Sequence, residues 1–512
     1  MSPPRARRLA QCAAALALAF VGLRIGESYI SRLPDHRGYF LVGVDDHPPS
    51  HTPTRPRHTT LIVADGLGLA PASAMQSAAR LAAAGQCRET DVGPISVSRP
   101  VYAVISTGLE QDRSGARNND EESPLAAESI WDVAHAAGLE VAGVSDVPWW
   151  QQLFPRGFDR YVTLPDDADS FALAELGDLT LIHVANVDHA GHEHGGASPE
   201  YAAAALRVDH ELGRFLDRQD LTRDLVIFTA DHGHSATGGH GGQTPEIARV
   251  LTCFAGPGVA HTPPNPQILH SRTIAGTLAV LLGLRFPRHM RAVEDDLDTI
   301  FTIVDERALS PAYLEDRRAA IERFRTANQQ SLTAWLGRPG TWSDHQAHHA
   351  RDQQLRAALF ALLTLAGFVL AARLRRLDLR ATLGLAAWCI LVAAATVVLH
   401  ILVLGSFDWT AINLRERYLR AAPIICLAPA LLALILRRWR LRDDSRLIAD
   451  QLTLAALALA LDLGHIVVFG WPLGYPLPSP ALLLLPFIAS FFLVSHALLA
   501  ALLAALALAR RR

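Results

Sequence analysis

The sequence predicts an α/β domain with a mostly parallel sheet and helices on both faces. It places that domain between an N-terminal transmembrane anchor and a C-terminal helical membrane bundle. Three observations predict this. Short apolar runs of β type alternate with stretches of helical spacing between His58 and Asp305. Long apolar runs gather at the N-terminus and in the last third of the chain. Arginine clusters recur at every second connection between those long runs. The overall figures, 512 residues with 50% hydrophobic and 19% charged, average over unlike parts. So much apolar content excludes a disordered chain. A net charge of −3 argues against a nucleic-acid binder. All 47 basic residues are Arg, which excludes Schiff-base and P-loop lysine chemistry. Five cysteines are too few for a disulfide-dense scaffold.

Taken in chain order, residues 1–30 form the anchor. Its apolar stretch Leu9–Leu23 follows Arg5, Arg7 and Arg8, with no small-x-small cleavage site behind it, so it reads as an uncleaved span. Residues 31–57 are a spacer containing Pro and His. Residues 58–305 form the α/β domain, with strands at Thr59–Ala64, Glu140–Val144, Leu179–Ala185 and Leu225–Ala230. Helices are expected at Ser129–Ala137, Pro199–Asp217 and Arg272–Leu284. Residues 306–355 are a polar, Arg-rich helical connector, whose His345, His348 and His349 read as a solvated stretch.

Residues 356–512 hold five spans, at Ala357–Ala372, Ala381–Leu404, Ala421–Leu436, Leu452–Trp471 and Ala481–Ala509. Arg373, Arg375, Arg376 and Arg380 follow the first, Arg437 to Arg446 the third, and Arg510–Arg512 the last. By the positive-inside rule both termini are cytoplasmic and the α/β domain is outside, with Arg415, Arg417 and Arg420 against the trend. The setting this suggests is a bacterial inner membrane, the domain facing the periplasm or exterior. Asp462 and His465 stand in an apolar helix, either as a headgroup or proton path or as a pair near the interface. Trp409, Trp471 and Tyr475 fall in outer loops, where aromatic-belt residues belong. Cys87 and Cys253 lie in the outward domain and could pair there.

Functional groups in a parallel sheet gather at the carboxyl ends of its strands. Here three strands end in the same chemistry: Asp65, then Asp188-His189-Ala190-Gly191-His192, then Asp231-His232. Asp188 and His192 are four residues apart, a spacing that lets both reach one ion, and the flexible Gly238–Gly242 stretch adds His240. Mixed carboxylate and imidazole ligands suit zinc or a similar divalent ion. Ser98 stands just before Pro100, where a helix ending near Thr107-Gly108 begins, so backbone N–H groups can meet an anionic oxygen. A hydroxyl beside divalent ions can attack phosphorus.

These residues, Asp65-Gly66, Ser98-x-Pro100 with Thr107-Gly108, Asp188-x-x-Gly191-His192 and Asp231-His232-Gly233 with His240, resemble the alkaline phosphatase superfamily. The nearest branch is the type I phosphodiesterases and nucleotide pyrophosphatases, which includes the ethanolamine phosphate transferases of GPI-anchor synthesis. The resemblance implies an alkaline phosphatase-like sheet and two zinc ions. It implies Asp65, Ser98, Asp231 and His232 as ligands of one ion, and Asp188, His192 and His240 as ligands of the other. It makes Ser98 the nucleophile that carries a phosphoryl intermediate. The Asn that contacts phosphate in the phosphodiesterases is Asn119 by spacing, with Asn118 the alternative.

The stretches Val187–Gly195 and Asp231–Gly242, and Trp149 to Phe154-Pro155, are similar to the ethanolamine phosphate transferases. Ser98 stands where those enzymes carry Thr, and no Cys/Ser-x-Pro-x-Arg motif of a sulfatase is present. The resemblance implies a membrane-embedded transferase moving a phosphoethanolamine-like headgroup from a phospholipid to a glycan or glycolipid. The alternative is a hydrolase of phosphodiesters or nucleotide pyrophosphates.

Overall fold

The computed structural model describes residues 3–32, 43–120, 123–165, 168–261, 267–290, 296–336, 342–408, 410, 415–440, 444–470 and 480–509. It divides into two compact units, one of residues 36–342 and one of residues 1–35 with 343–512.

The first unit is built on an eight-stranded sheet. Its strands are β1 (Thr59–Ala64), β2 (Gly85–Asp91), β3 (Val141–Ser145), β4 (Arg160–Thr163), β5 (Leu179–Val184), β6 (Leu225–Thr229), β7 (Arg249–Ala255) and β8 (Leu269–His270), in the spatial order β4-β3-β5-β1-β6-β7-β2-β8. Every residue of β1, β5 and β6 is buried, so both faces of the central strands are covered. This is why these strands read as continuous apolar runs instead of alternating ones. β1 pairs in parallel with β5 and with β6, and β3 in parallel with β4 and β5. The mostly parallel sheet predicted from the sequence is therefore present.

Four strands were not predicted: β2, β4, β7 and β8. Among them, β7 runs antiparallel to both β6 and β2. β2 reads Gly-Gln-Cys-Arg-Glu-Thr-Asp, with almost no apolar periodicity. Its polar side chains are satisfied by distant partners. Arg88 bonds Gln86 Oε1 at 2.9 Å and the Thr302 hydroxyl at 2.9 Å. Cys87 lies opposite Cys253 on β7, and the two form a disulfide.

The compact unit extends beyond residues 58–305 at both ends. The helix Pro311–Leu336 packs through Tyr313, Phe324 and a fully buried Arg317. Arg317 reaches Asp46 at 3.4 Å and the Leu284 carbonyl at 3.1 Å, while Arg323 reaches Asp46 at 2.7 Å. Nothing local in the sequence shows that Asp46 and Arg317 meet, 271 positions apart.

In the second unit, six helices among the described residues are long and apolar enough to cross a membrane, the marks of a multi-pass membrane protein. They are Pro3–Arg32, Trp342–Leu374, Leu379–Leu404, Arg415–Arg440, Asp444–Phe469 and Pro480–Ala509. The apolar runs Ala357–Ala372 and Ala421–Leu436 lie within the longer helices Trp342–Leu374 and Arg415–Arg440. Helix ends assigned to one side of the membrane meet: Arg8 donates to Ser445 at 2.8 Å and Arg375 to Asp450 at 2.7 Å. Asp462 accepts from Ser490 at 3.3 Å, and His465 bonds the Leu482 carbonyl at 2.9 Å, so both face the packed interior. Trp409, Trp471, Tyr475, Arg510–Arg512 and the side chain of His345 lie outside the described residues.

Candidate active site

Asp65 and Asp231 emerge side by side because β1 and β6 run in register. Each stands two residues beyond the pair Val63–Thr229. Like charges on neighbouring strand ends repel, and both side chains are buried, with exposures of 3% and 0%. Their hydrogen bonds are arranged alike. Asp231 Oδ1 accepts the backbone N–H groups of Gly66 at 3.0 Å and His232 at 2.9 Å. Asp65 Oδ2 accepts from the Tyr102 hydroxyl and lies 3.2 Å from His183 Nε2. The other oxygens, Asp65 Oδ1 and Asp231 Oδ2, are buried with no hydrogen-bond partner. Both face His232 Nε2, at 3.4 and 3.3 Å.

The His232 ring completes this pocket. Its Nδ1 lies 3.2 Å from the Gly233 carbonyl, which can only accept, so the proton belongs there and Nε2 presents a lone pair. Ser98 Oγ is 3.3 Å from the same Nε2. Two orphaned carboxylate oxygens, an imidazole lone pair and a hydroxyl oxygen thus converge, with the Ser98 O–H the one donor named among them. That donor set fits a divalent cation.

A second group lies against the first. Asp188 and His192 belong to the helix Asn186–His194, which follows β5. His192 Nε2 is 3.4 Å from Asp188 Oδ2 and 3.1 Å from His240 Nε2. His240 Nδ1 donates to the Ser96 carbonyl at 2.8 Å, which again leaves Nε2 as the lone-pair atom. Ser96 holds this loop in place: its hydroxyl donates to Gly242 O at 2.6 Å and accepts from Gly241 N at 3.0 Å. The His232 and His240 rings stack, with centroids 3.6 Å apart. All seven metal ligands predicted from the sequence are therefore brought together.

His234 joins them unpredicted, with Nε2 2.8 Å from Asp188 Oδ1. The groups Asp188-His232-His234-His240 and Asp65-Asp231-His232 each have ligand atoms close enough to hold one ion. The glycines of the motifs have steric reasons. A Cβ on Gly191 would lie 2.3 Å from the His234 ring, and Gly66, at φ +74°, would bring its Cβ 2.6 Å from the Asp188 backbone.

The electrostatics agree with a cation-binding role. Burial, then the carboxylates of Asp65 and Asp188, push Asp231 well above the usual carboxylate range. Burial works against the charge of Asp188, but the surrounding imidazoles hold its carboxyl well below that range. Burial outweighs the nearby carboxylates at His232 and lowers it to about 4. Burial, then the adjacent His232, lowers His240 well below its ordinary value. Both rings are thus neutral near pH 7, the form that ligates metals.

Ser98 opens the buried helix Ser98–Thr107. Asn119 Oδ1 accepts from the Arg99 N–H at 3.0 Å, so its Nδ2 faces Ser98 Oγ, 3.4 Å away. Asn118 instead closes on its own loop through Asp120. Arg99 lies over the Trp149 ring at 4.8 Å and donates to Gln152 at 2.8 Å, tying the Trp149–Leu153 helix to the start of the Ser98 helix. The residues the sequence reading missed are His234, His183, Tyr102 and Asp146. His183 carried a signal, since an imidazole in a fully buried strand needs polar partners.

Comparison with known proteins agrees with the resemblance drawn from the motifs. Residues 98–274 match the family model of type I phosphodiesterases / nucleotide pyrophosphatases. Human GPI ethanolamine phosphate transferase 3, catalytic subunit, is 26% identical over 216 residues, 39% of this chain and 20% of that protein. GPI ethanolamine phosphate transferase 2 of Candida albicans is 27% identical over 235 residues, 39% of this chain and 26% of that protein. The chain thus spans about a fifth to a quarter of the length of these curated relatives. Human ectonucleotide pyrophosphatase / phosphodiesterase 5 superposes with a TM-score of 0.37 at 12% identity, covering 46% of this chain and 96% of that one. A mutant of the alkaline phosphatase PafA gives 0.39 at 12% identity, covering 50% and 100%.

Proposed function

We propose that this chain is a membrane-embedded phosphotransferase that moves a phosphoethanolamine-like headgroup from a phospholipid to a glycan or glycolipid, with Ser98 as nucleophile. The observation that carries the reading is the placement of Ser98 Oγ at a helix start, 3.3 Å from His232 Nε2 and beside two orphaned carboxylate oxygens. Asp65, Ser98, Asp231 and His232 would hold one divalent ion, and Asp188, His192 and His240 the other, with zinc the ion best suited to these donors. When bound, such ions supply positive charge to the phosphoryl oxygens and favour the ionised hydroxyl.

The chain's own groups do the rest. Ser98 Oγ forms a bond to phosphorus and gives up its proton to solvent. The bond from phosphorus to the lipid's glyceryl oxygen breaks, and that oxygen takes up a proton. An acceptor hydroxyl then forms its bond to phosphorus as the P–Oγ bond breaks and Ser98 regains a proton. At the start of the Ser98–Thr107 helix the Arg99 N–H is taken by Asn119, Pro100 has none and the Val101 N–H donates to the Val97 carbonyl, which leaves the Ser98 N–H to meet a phosphoryl oxygen. Asn119 Nδ2, locked by the Arg99 N–H, donates to another.

The names of the curated relatives support transfer, and a cavity of about 1030 Å³ within the membrane unit supports a lipid substrate. Phe360, Phe368, Ile390 and Leu461 are among its lining residues. The disulfide Cys87–Cys253 supports a non-cytoplasmic, oxidising location for the first unit, as does the arginine distribution. The relatives named above are eukaryotic, so the side of the membrane, and not a bacterial envelope, is what we propose. The match to the phosphodiesterase family favours a second reading, hydrolysis, in which water replaces the acceptor hydroxyl.

Incubation of the purified protein with headgroup-labelled phosphatidylethanolamine and membrane glycolipids distinguishes the two. Label in a glycolipid supports transfer; free labelled headgroup phosphate with no labelled acceptor establishes hydrolysis instead.

A further inference from the structure

Beneath Asp65 runs a buried chain of hydrogen bonds. His183, on β5, has no solvent exposure. Its Nε2 lies 2.8 Å from the Tyr102 hydroxyl and 3.2 Å from Asp65 Oδ2. Its Nδ1 lies 2.8 Å from Ser145 Oγ and 3.3 Å from Asp146 Oδ1. Asp146, just past β3, is itself fixed, because its Oδ2 accepts the Ala185 N–H at 2.8 Å. Tyr102 donates to Asp65 Oδ2 and stacks on Trp150, with centroids 4.2 Å apart. It stands four residues after Ser98, one turn along the same helix.

Two donors therefore occupy one oxygen of Asp65 and leave the other facing His232. A rotation of the carboxylate would take the carboxylate acceptor from the Tyr102 hydroxyl and from His183 Nε2, since Asp146 lies at the other ring nitrogen, Nδ1. A shift of the nucleophile's helix would move Tyr102 and hence Asp65. We propose that Tyr102, His183 and Asp146 are positioning residues that make Asp65 a one-oxygen metal ligand and couple its setting to the helix carrying Ser98. This rests on the two-ion reading above and adds to it residues that touch neither substrate nor ion.

The test uses the full-length protein in detergent, stripped with a chelator and reloaded with zinc or with cobalt(II), whose visible bands report coordination. Ion stoichiometry and affinity are measured by competition with a chromogenic chelator. Tyr102→Phe and Asp146→Asn should each weaken one of the two ions about 10–100-fold, the usual effect of losing an outer hydrogen-bond partner, and leave the other unchanged. The cobalt bands of the weakened ion should shift. His183→Gln, which keeps an N–H donor, should retain more affinity than His183→Leu. Should His183→Leu fail to fold, Tyr102→Phe, which removes one hydroxyl, still decides the question.

Wild-type affinities and unchanged cobalt bands in Tyr102→Phe and Asp146→Asn would overturn the proposal, whatever their turnover. Equal weakening of both ions together with a lowered Tm would also overturn it, since that is general damage. A wild-type protein that holds two ions while its variants match it refutes the positioning role alone. A wild-type protein that binds no stoichiometric ion refutes the two-ion reading and this inference with it.

Discussion

The two halves of the candidate site are built by different means. Asp65, Asp231 and His232 stand on the ends of adjacent central strands, with exposures of 3%, 0% and 0%, and backbone amides or buried donors hold their carboxylates. Asp188 and His192 stand on a short helix, at 13% and 26%, and His240 on a glycine-rich loop. The strand-end half is set by the sheet register and cannot move without disturbing the core. The other half rests on a short helix and on a glycine-rich loop held by its hydrogen bonds to Ser96. The contrast is between ligands set by strand register and ligands carried on connecting elements, where Asp188 and His192 keep some exposure while His240 has none.

The largest effect expected is at the nucleophile. Ser98→Ala should lower turnover by more than about 10³-fold while both ions stay bound, because three other ligands of its ion remain. Turnover together with metal content tests this; retained activity would end the nucleophile assignment. Next, chelation should remove the ions in two steps, the exposed Asp188–His192 half emptying first. Simultaneous loss would break the distinction between the halves.

Asp231→Asn sharpens it further. In the chelated protein the substitution relieves repulsion between buried carboxylates, so its Tm should exceed that of chelated wild type by the equivalent of about 1–3 kcal/mol. With zinc the order should reverse.

Gly191→Ala places a Cβ 2.3 Å from the His234 ring and should cost about 1–3 kcal/mol of stability. Adding His234→Ala should recover most of that loss in the metal-free protein. A null effect of Gly191→Ala on Tm would mean that the helix Asn186–His194 adapts more freely than the contact implies.

The smallest effect lies outside both halves and serves as their control. Glu128 pairs with Arg285 through two contacts of 2.6 Å and accepts the Arg288 N–H at 2.8 Å. Burial works against its charge, but these partners hold its carboxyl below the ordinary value. A depressed carboxyl stabilises fully above its unfolded pKa, about 4.3. It loses that contribution as pH falls through the lower folded value. Denaturation between pH 3 and 6 should show this acid limb, about 1–2 kcal/mol, flattened in Glu128→Gln. The order of ion release should not change.

What could be read from the sequence follows the same physical division. β1, β5 and β6 are buried on both faces, so their apolar runs and the ligands at their ends are visible without any partner. β2 was invisible because its residues are polar and its stability comes from β7 and Thr302. The strand-end carboxylates and imidazoles stood out by residue type and spacing, and the full set of seven candidate ligands, Ser98 included, came from the resemblance to the alkaline phosphatase superfamily. His234 was not legible, because a histidine two positions after His232 has no spacing rule of its own and acquires its place from Asp188, 46 residues away. Tyr102, His183 and Asp146 meet only once three separate elements have packed. The pairing of Asp46 with Arg317 across 271 positions is likewise a product of packing that no local pattern carries.

The disulfide between Cys87 and Cys253 has a topological consequence. It closes a covalent ring from residue 87 to residue 253, and every candidate site residue except Asp65 lies within that ring. A single backbone cut anywhere inside it opens the circle but releases nothing. The two pieces migrate as one chain until the sulfur bridge is reduced, so a nicked molecule keeps Ser98 and both clusters of candidate ligands tethered together.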